Sequence, residues 1–213
     1  MRYTGWIMRI IKEPEVRKNE ILDAAEELFG VKGYGAATVN DILEAVNIAK
    51  GTFYYYFKSK EDVLDALIER RVHDGVEKAK EIIASPLSPV EKFLGIVMAQ
   101  KPQNKIQKEF NSALHEKDNS KMHQKALARS VLCLGPCLGQ VIEEGIGAGI
   151  FSTPFPKESA EILLSAALVL FDEDFFQWSS DEGAAKIAAF LCTMERTLGA
   201  KAGTLSDFAR VFA

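Results

Sequence analysis

The sequence predicts an all-α protein with an N-terminal domain of three short helices and a larger helical C-terminal domain. Apolar residues recur at helical spacing along nearly the whole chain of 213 residues. Alternating runs of β-branched and aromatic residues, which would indicate strands, are scarce. Some of the expected helices also begin with a hydroxyl residue that an aspartate follows one turn later, a pattern that caps helices. These features favour a fold in which helices pack on helices.

The composition indicates a globular chain without disulfides or bound metal. Hydrophobic residues make up 47% of the sequence, which is enough to fill a core. No uninterrupted apolar run is long enough to span a membrane, and we expect the protein to be cytoplasmic. Cys133, Cys137 and Cys192 are an odd number of cysteines, and none has a histidine close by, so we interpret them as small apolar residues. We expect no cofactor and no metal site.

The N-terminal domain is predicted over residues 1–60, with an extended arm at 1–14. A first helix is expected at 15–32, where apolar residues repeat at helical spacing. Gly33 follows it, and glycine suits the left-handed cap that ends many helices. The domain boundary at residue 60 leaves residues 61–213 for the C-terminal domain.

A second and a third helix follow in the same domain. Thr38 opens the second helix, and Asp41 completes a capping box. A short break around Asn47 separates this helix from a third one at 49–57. Asparagine tolerates left-handed backbone angles better than other non-glycine residues, so we expect Asn47 to be the pivot of the turn. Two such helices with a short turn form a helix-turn-helix, whose second helix enters the major groove of DNA.

Helical geometry predicts which side of the third helix would face DNA. If Phe53 and Phe57 point into the core, Gly51 and Tyr55 lie on the opposite side. The segment 46–60 has three lysines and no acid, although the net charge of the chain is −4. Phosphate contact needs only a local positive face. A wholly buried helix is the weaker interpretation, because it would leave tyrosine hydroxyls unpaired.

The C-terminal part is expected to consist of longer amphipathic helices. Their predicted ranges are Lys60–Ile83, a helix starting at Ser88-Pro89, 104–116, 120–144 with a bend at Gly135-Pro136, 157–178 and 181–198. A glycine- and proline-rich loop is expected at 145–156. Residues 199–213 are expected to form a short tail.

Fixed spacings in the first third of the chain resemble those of a known family. The N-terminal domain of TetR-family transcriptional repressors is similar to the pattern Ala25-x-x-Leu28-Phe29-x-x-x-Gly33-Tyr34-x-x-x-Thr38-Val39-x-x-Ile42, followed by Lys50-Gly51-Thr52-Phe53-Tyr54-Tyr55-Tyr56-Phe57-x-Ser59-Lys60-Glu61. The resemblance implies DNA contacts at Thr38, Lys50, Gly51, Thr52, Tyr54, Tyr55, Tyr56 and Lys60. In two positions the chain departs from the family pattern. Asn47 stands where glycine is usual, and Ala49 replaces a frequent serine, which removes a possible helix cap and phosphate donor.

The same resemblance implies a homodimer controlled by a small molecule. Two late helices would pair across the dimer axis through Ile162, Leu163, Ala166, Leu170, Ile187, Phe190, Leu191 and Met194. All five tyrosines precede residue 57, so a pocket in the C-terminal domain would be apolar and its effector lipophilic. Its expected walls are Phe93, Val97, Phe110, Leu114, Met122, Leu134, Leu138, Phe171 and Phe175. Packing in a solid core is an equally good interpretation of any single one of these phenylalanines.

Other functions have weaker support in the sequence. His73, His115 and His123 are far apart and lack a partner motif, so we interpret them as exposed or ordinary packing residues. We find no phosphate-binding loop, nucleophile elbow or metal-spaced cluster. We therefore predict a ligand-responsive repressor that is not an enzyme and binds a near-palindromic operator of double-stranded DNA. The alternatives are an effector-independent activator or architectural protein, and a helical enzyme or carrier with a vestigial DNA-binding domain.

Overall fold

The computed structural model describes residues 13–102, 105–114, 120–172 and 175–211. Within these ranges the chain is helical and forms no strand, as predicted. The α-helices are α1 (Pro14–Lys32), α2 (Val39–Val46), α3 (Lys50–Tyr56), α4 (Lys60–Ile83), α5 (Pro89–Ala99), α6 (Lys105–Leu114), α7 (Ser120–Gly147), α8 (Pro156–Leu170) and α9 (Ser180–Leu198). A 3-10 helix spans Ser206–Val211. The arm expected at 1–14 lies almost wholly outside the described residues.

The chain divides into two compact units. The first extends to Leu67 and also contains Lys105–Ala113, and the second contains Ile68–Asn104 and Leu114–Ala213. The division therefore falls inside α4, whereas the sequence predicted it at the start of that helix. The α6 segment also belongs to the first unit, which the sequence did not predict.

The first unit packs α1 on α2 and α2 on α3. Helix α1 contributes one buried face, and the rest of the core comes from the helices and turns that follow it. The buried apolar residues are Ile21, Leu22, Ala25, Phe29, Tyr34, Ala37, Ile42, Phe53, Phe57, Val63, Leu64 and Leu67. Gly33 ends α1 with a φ of 78°, a value that favours glycine. Its ψ of 152° is extended, so it is not the left-handed helical cap that we predicted.

The second unit has its core between α5, α7, α8 and α9. Helix α7 packs on α8 and α5, and α8 packs on α9. The core residues are Ala79, Phe93, Ile96, Leu134, Leu138, Val141, Ile142, Phe151, Ala160, Leu163, Phe190, Met194, Leu198, Leu205 and Phe208. Deleting a large side chain from such a core costs about 2–5 kcal/mol.

The segment predicted as a short tail completes this core. Leu205 is fully buried, and Phe208 packs on Phe93 with ring centroids 5.2 Å apart. The backbone N–H of Leu205 donates to the Glu195 carboxylate at 2.9 Å. The tail prediction was wrong because Leu205 and Phe208 are too few to show a periodic pattern, yet they fill space beside α5 and α9.

Helix α8 ends at Leu170, so the prediction of one helix through Trp178 was wrong. The indole N–H of Trp178 donates to the carbonyl oxygen of Leu170 at 3.0 Å, which satisfies one of the acceptors left free at a helix end. Asp172 is the second residue after the helix, and an acidic residue is unfavourable near the negative end of the helix dipole. The described residues between α8 and α9, 171–172 and 175–179, are called the connector.

Helix α7 continues through Pro136 and ends at Gly147, past the predicted end at residue 144. Its part from Met122 to Gly147 is long and apolar enough to cross a membrane by length and composition alone. However, Leu134, Leu138 and Val141 are buried in the core of the second unit. Part of the apolar surface of α7 is thus covered by packing within the protein.

Candidate functional site

Helix α2 begins with a complete capping box. The N–H of Asp41 donates to Oγ1 of Thr38 at 3.1 Å, and the N–H of Thr38 donates back to the Asp41 carboxylate at 2.8 Å. The hydrogen bond from Lys32, 2.7 Å long, and then those from Thr38 lower the pKa of Asp41 from 3.8 to about 2. The Thr38 hydroxyl itself donates to Asp41 at 2.9 Å. Its hydrogen is therefore used inside the protein, and the contact of Thr38 with DNA stays a prediction.

The turn between α2 and α3 has the predicted geometry. Asn47 adopts φ 53° and ψ 54°, in the left-handed region, and its N–H bonds to the end of α2. Within the described residues it is the one non-glycine residue with positive φ. Helix α3 starts at Lys50 after Ala49, whose side chain provides no cap. The helix-turn-helix predicted from the sequence is thus present, and the departure at Ala49 leaves the start of α3 without a side-chain cap.

Helix α3 has one buried and one exposed face. Phe53 is fully buried and Phe57 nearly so, and their ring centroids lie 6.0 Å apart. On the opposite side Gly51 is exposed, and Tyr55 is 77% exposed. This is the arrangement predicted from helical geometry, and it leaves the predicted contact residues of α3 at least partly accessible.

The side chains around the exposed face present hydroxyls and a cation. The Lys50 ammonium lies 5.9 Å from the centroid of the exposed Tyr54 ring. The rings of Tyr55 and Tyr56 meet edge to face at 4.9 Å, and Tyr56 and Thr52 are half-buried. These groups can donate hydrogen bonds to phosphate oxygens or touch base edges.

Gly51 faces open space. A Cβ built on it would meet no atom of the described residues within 4 Å. The fold therefore does not require glycine here, and glycine inside a helix is less favourable than alanine. A close approach by an external partner would explain the missing side chain.

Lys60 makes contacts within the first unit in addition to the DNA contact implied by the resemblance. Its ammonium donates to the carbonyl oxygens of Tyr34 and Ala37 at 2.6 and 3.0 Å and lies 4.1 Å from the Tyr34 ring centroid. It thus ties the start of α4 to the turn between α1 and α2. A contact of Lys60 with phosphate stays a prediction.

The residues predicted for the dimer interface fall into two groups. Leu163, Phe190 and Met194 belong to the core of the second unit, so their side chains are not available to a partner. Leu170, Ile187 and Leu191 are half-buried, and Ile162 and Ala166 are exposed. The correction has a physical reason: α8 and α9 are amphipathic, and the larger apolar residues face the core of the chain itself.

The residues predicted to line a pocket lie in different environments. Phe93, Leu134 and Leu138 are core residues, and Val97 and Phe171 pack against that core. Met122 is half-buried, and Phe175 lies in the connector and not on a helix. Phe110 belongs to the first unit, and the side chains of Phe110 and Leu114 lie outside the described part of the chain. That these nine residues line one pocket therefore stays a prediction.

The sequence missed one buried polar pair. Nε2 of His123 lies 3.0 Å from a carboxylate oxygen of Asp172, and both side chains are buried. The two residues are on α7 and in the connector, so no local spacing signals their contact. The only available hint was an acidic residue following an apolar helix.

Two family models match the chain. Residues 21–67 match the N-terminal model described as bacterial regulatory proteins of the tetR family, and residues 102–193 match a tetracyclin repressor-like C-terminal domain. Together the two matches cover well over half of the chain. The chain belongs to the TetR family. Its helix-turn-helix, with the left-handed Asn47 and the exposed face of α3, lies inside the first match.

Several curated relatives match less than half of the chain. The HTH-type transcriptional repressor KstR2 of Mycobacterium tuberculosis is 31% identical over 91 residues, which are 43% of this chain and 46% of KstR2. The fatty acid metabolism regulator protein of Bacillus subtilis is 31% identical over 87 residues, 41% of this chain and 45% of the relative. The chain thus spans about half the length of these curated relatives. They are named as transcriptional regulators, a class of proteins that are not enzymes.

Solved TetR-family structures share the fold across most of the chain. RolR without ligand has a TM-score of 0.61 and 20% identity, covering 90% of this chain and 96% of RolR. The complex of RolR with resorcinol has a TM-score of 0.60 and 18% identity, with coverage of 93% and 94%. At these identities the likeness concerns the fold.

Proposed function

We propose that the protein is a repressor that binds DNA through α3 and is released by a small molecule. The observation that carries the proposal is the exposed face of α3 around Gly51 and Tyr55, set by the left-handed turn at Asn47. The segment 46–60 is free of acids, so this face suits phosphates despite the net negative charge of the chain. The contacts would come from Lys50, Gly51, Thr52, Tyr54, Tyr55 and Tyr56, without Thr38 or Lys60 as phosphate donors.

The proposed repressor is a homodimer in which α8 and α9 meet their copies. Helix α8 exposes Ile162, Ala166 and Val169 at helical spacing, and Ile162 is 64% exposed. Helix α9 exposes a similar stripe of small apolar residues: Ala185, Ala188, Ala189 and Cys192. Such stripes on two helices can form a four-helix contact with two-fold symmetry. The two copies of α3 would then enter successive major grooves about 34–36 Å apart on a near-palindromic operator.

Control by a small molecule rests on the course of α4. This helix runs without interruption from Lys60 to Ile83 and spans the division between the two units. RolR, a structural neighbour, has been solved in complex with resorcinol. In this chain a lipophilic effector would bind to the second unit. It would favour a conformation in which the separation of the two copies of α3 no longer matches the spacing of the grooves in the operator. The protein would act in the cytoplasm, where its DNA target lies.

The proposal is tested by selecting bound fragments from a random DNA pool and measuring their affinity at several salt concentrations. We expect near-palindromic sites and a salt-dependent affinity. Effectors are then sought by screening lipophilic compounds for release of the selected DNA. DNA binding that no compound alters would favour an effector-independent regulator. Failure to bind DNA even at low salt, or turnover of a small molecule, would overturn the proposal in favour of an enzyme or carrier.

A further inference from the structure

The pair formed by His123 and Asp172 lies next to aromatic side chains. The imidazole stacks on the ring of Phe175, with centroids 5.4 Å apart and an angle of 25° between the planes. Phe171, next to Asp172, meets Phe190 edge to face at 5.5 Å. Phe175 is 49% exposed although the imidazole beneath it is buried. A carboxylate and an imidazole thus lie one aromatic layer below the surface.

Stability of the fold does not require this pair. The desolvation penalty of two buried charged groups can match or exceed their Coulombic attraction, and well-packed apolar residues in their place are often equally stable. A carboxylate accepts hydrogen bonds and an imidazole N–H donates one, so the pair places an acceptor and a donor at adjacent points.

The two halves of α7 are held in different ways. In its second half Leu134, Leu138 and Val141 are anchored in the core. In its first half, from Ser120 to Cys133, His123 is the one buried residue among the side chains that the structure describes. Two polar contacts therefore stand out there: the pair with Asp172, and an ion pair of 2.5 Å between Arg129 and Glu69 on α4. The first half of α7 links the connector to α4 through these groups.

We propose that His123 and Asp172 bind the hydroxyl group of an otherwise apolar, aromatic effector. The inference rests on the proposed function and narrows its effector to a chemical class. A carboxylate only accepts hydrogen bonds, so Nε2–H of His123 is the donor in the present pair. A hydroxyl group can accept from that N–H and donate to the carboxylate at the same time. The aromatic part of the ligand would take the place of Phe175 against the imidazole.

Insertion of a hydroxyl has a structural consequence. Two hydrogen bonds through one oxygen require the nitrogen and the carboxylate oxygen to move from 3.0 Å to about 4.5–5 Å apart. The first half of α7 must therefore shift relative to the connector. Because Arg129 on this half is bonded to Glu69, the shift reaches α4. Binding of the hydroxyl group is thereby coupled to α4, the helix that starts in the first unit.

The test compares matched probes that differ in one hydroxyl group: phenol with toluene, and 1-naphthol with naphthalene. Binding is measured by the fluorescence of Trp178, which lies in the connector and donates to Leu170 at the end of α8, with Trp6→Phe as the background. We expect each hydroxylated probe to bind at least about tenfold more tightly than its partner, because a site built for a hydroxyl rejects the analogue that lacks it. Asp172→Leu should bring the two affinities of each pair close together.

For each pair of probes, the ratio of the affinity for the hydroxylated probe to that for the apolar probe shows whether Asp172 recognises the hydroxyl group or only supports the structure. Glu77→Gln, which removes an exposed carboxylate paired with Lys80, is the matched control and should keep the wild-type ratio. Thermal unfolding of Asp172→Leu, together with its affinity for the apolar probes, checks that the variant is folded. A variant that does not fold is replaced by Asp172→Asn, for which we expect a ratio reduced several-fold.

Equal binding of both members of each pair, no binding by any probe, or an unchanged ratio in the folded variants would overturn the inference. Operator binding is measured in parallel to separate this result from the proposed function. Another compound could release the operator equally well from wild type and from Asp172→Leu. That result overturns the proposed hydroxyl site but remains consistent with the proposed repressor function. Hydroxyl-selective binding by a protein that binds no DNA supports the site and overturns the repressor.

Discussion

The ammonium of Lys60 lies 4.1 Å from the ring centroid of Tyr34 and donates to the carbonyl oxygen of that same residue at 2.6 Å. One side chain at the start of α4 thus fixes the turn between α1 and α2 by two kinds of contact. Residues that hold α3 in place, such as Lys60, can therefore be distinguished from residues proposed to contact DNA. Its consequences can be measured.

Lys60→Ala should lower the free energy of unfolding by about 1–2 kcal/mol, because it removes charge-assisted hydrogen bonds and a cation–π contact. Operator affinity should fall as well, but the slope of affinity against salt should stay near the wild-type value. Lys50→Ala is the matched control and should reduce that slope by about 0.9 without loss of stability. A reduced salt slope in Lys60→Ala with unchanged stability would show that Lys60 binds phosphate after all.

Gly51→Ala should separate stability from DNA binding. The new methyl group meets no atom of the described residues within 4 Å, so alanine should stabilise α3 by about 0.5–1 kcal/mol. Operator affinity should nevertheless fall about tenfold or more, because the methyl group would stand between the helix and the groove. Gly147→Ala also adds a methyl group in open space on a helix and should leave operator binding unchanged. Unaltered operator binding by Gly51→Ala would remove this residue from the interface.

Ile162→Glu should convert the dimer into monomers with much weaker operator binding. The residue is 64% exposed on α8, so the charge is tolerated by the single chain and opposed only by a second copy. Sedimentation at micromolar concentration gives the oligomeric state. Leu87→Glu, at an exposed position between α4 and α5, should remain dimeric, and Leu163→Glu should fail to fold because that side chain is in the core. A monomeric wild type, or a dimeric Ile162→Glu, would contradict the interface.

Acid should weaken the capping box of α2. The pKa of Asp41 is lowered from 3.8 to about 2 in the folded protein, so the folded state favours the ionised carboxylate. Its stabilising effect is fully present above pH 3.8 and is lost as the pH falls towards about 2. Urea unfolding of wild type and Asp41→Asn should therefore differ at pH 6 and converge near pH 2. A difference that persists unchanged at the lowest pH would contradict this assignment.

The elements that the sequence predicted well depend on local signals. The start of α4 and its end near Ser85-Pro86 are set by neighbours in the chain, as are the capping box at Thr38 and the left-handed Asn47. The two faces of α3 follow from helical geometry once Phe53 and Phe57 are placed in the core. In each case the residues that determine the structure lie within about two helical turns of one another.

The contacts that the sequence did not predict join residues that are far apart in the chain. His123 and Asp172 are joined only by the packing of α7 against α8, and Trp178 caps a helix that ended several residues before it. Phe208 docks on Phe93 from the far end of the second unit. The bonds from Lys60 to the Tyr34 and Ala37 carbonyl oxygens, on a preceding turn, were not predicted either. Contacts between distant parts of the chain leave no periodic trace in the sequence.

The burial of Phe208 also bears on how the protein folds during its synthesis. The core around Phe93 and Leu198 is not closed until Leu205 and Phe208 have emerged from the ribosome. Helices α5 and α7 are made much earlier and must keep their apolar faces covered in the meantime. The second unit should therefore complete its folding only after Phe208 has been synthesised, and its nascent form should be a target for chaperones.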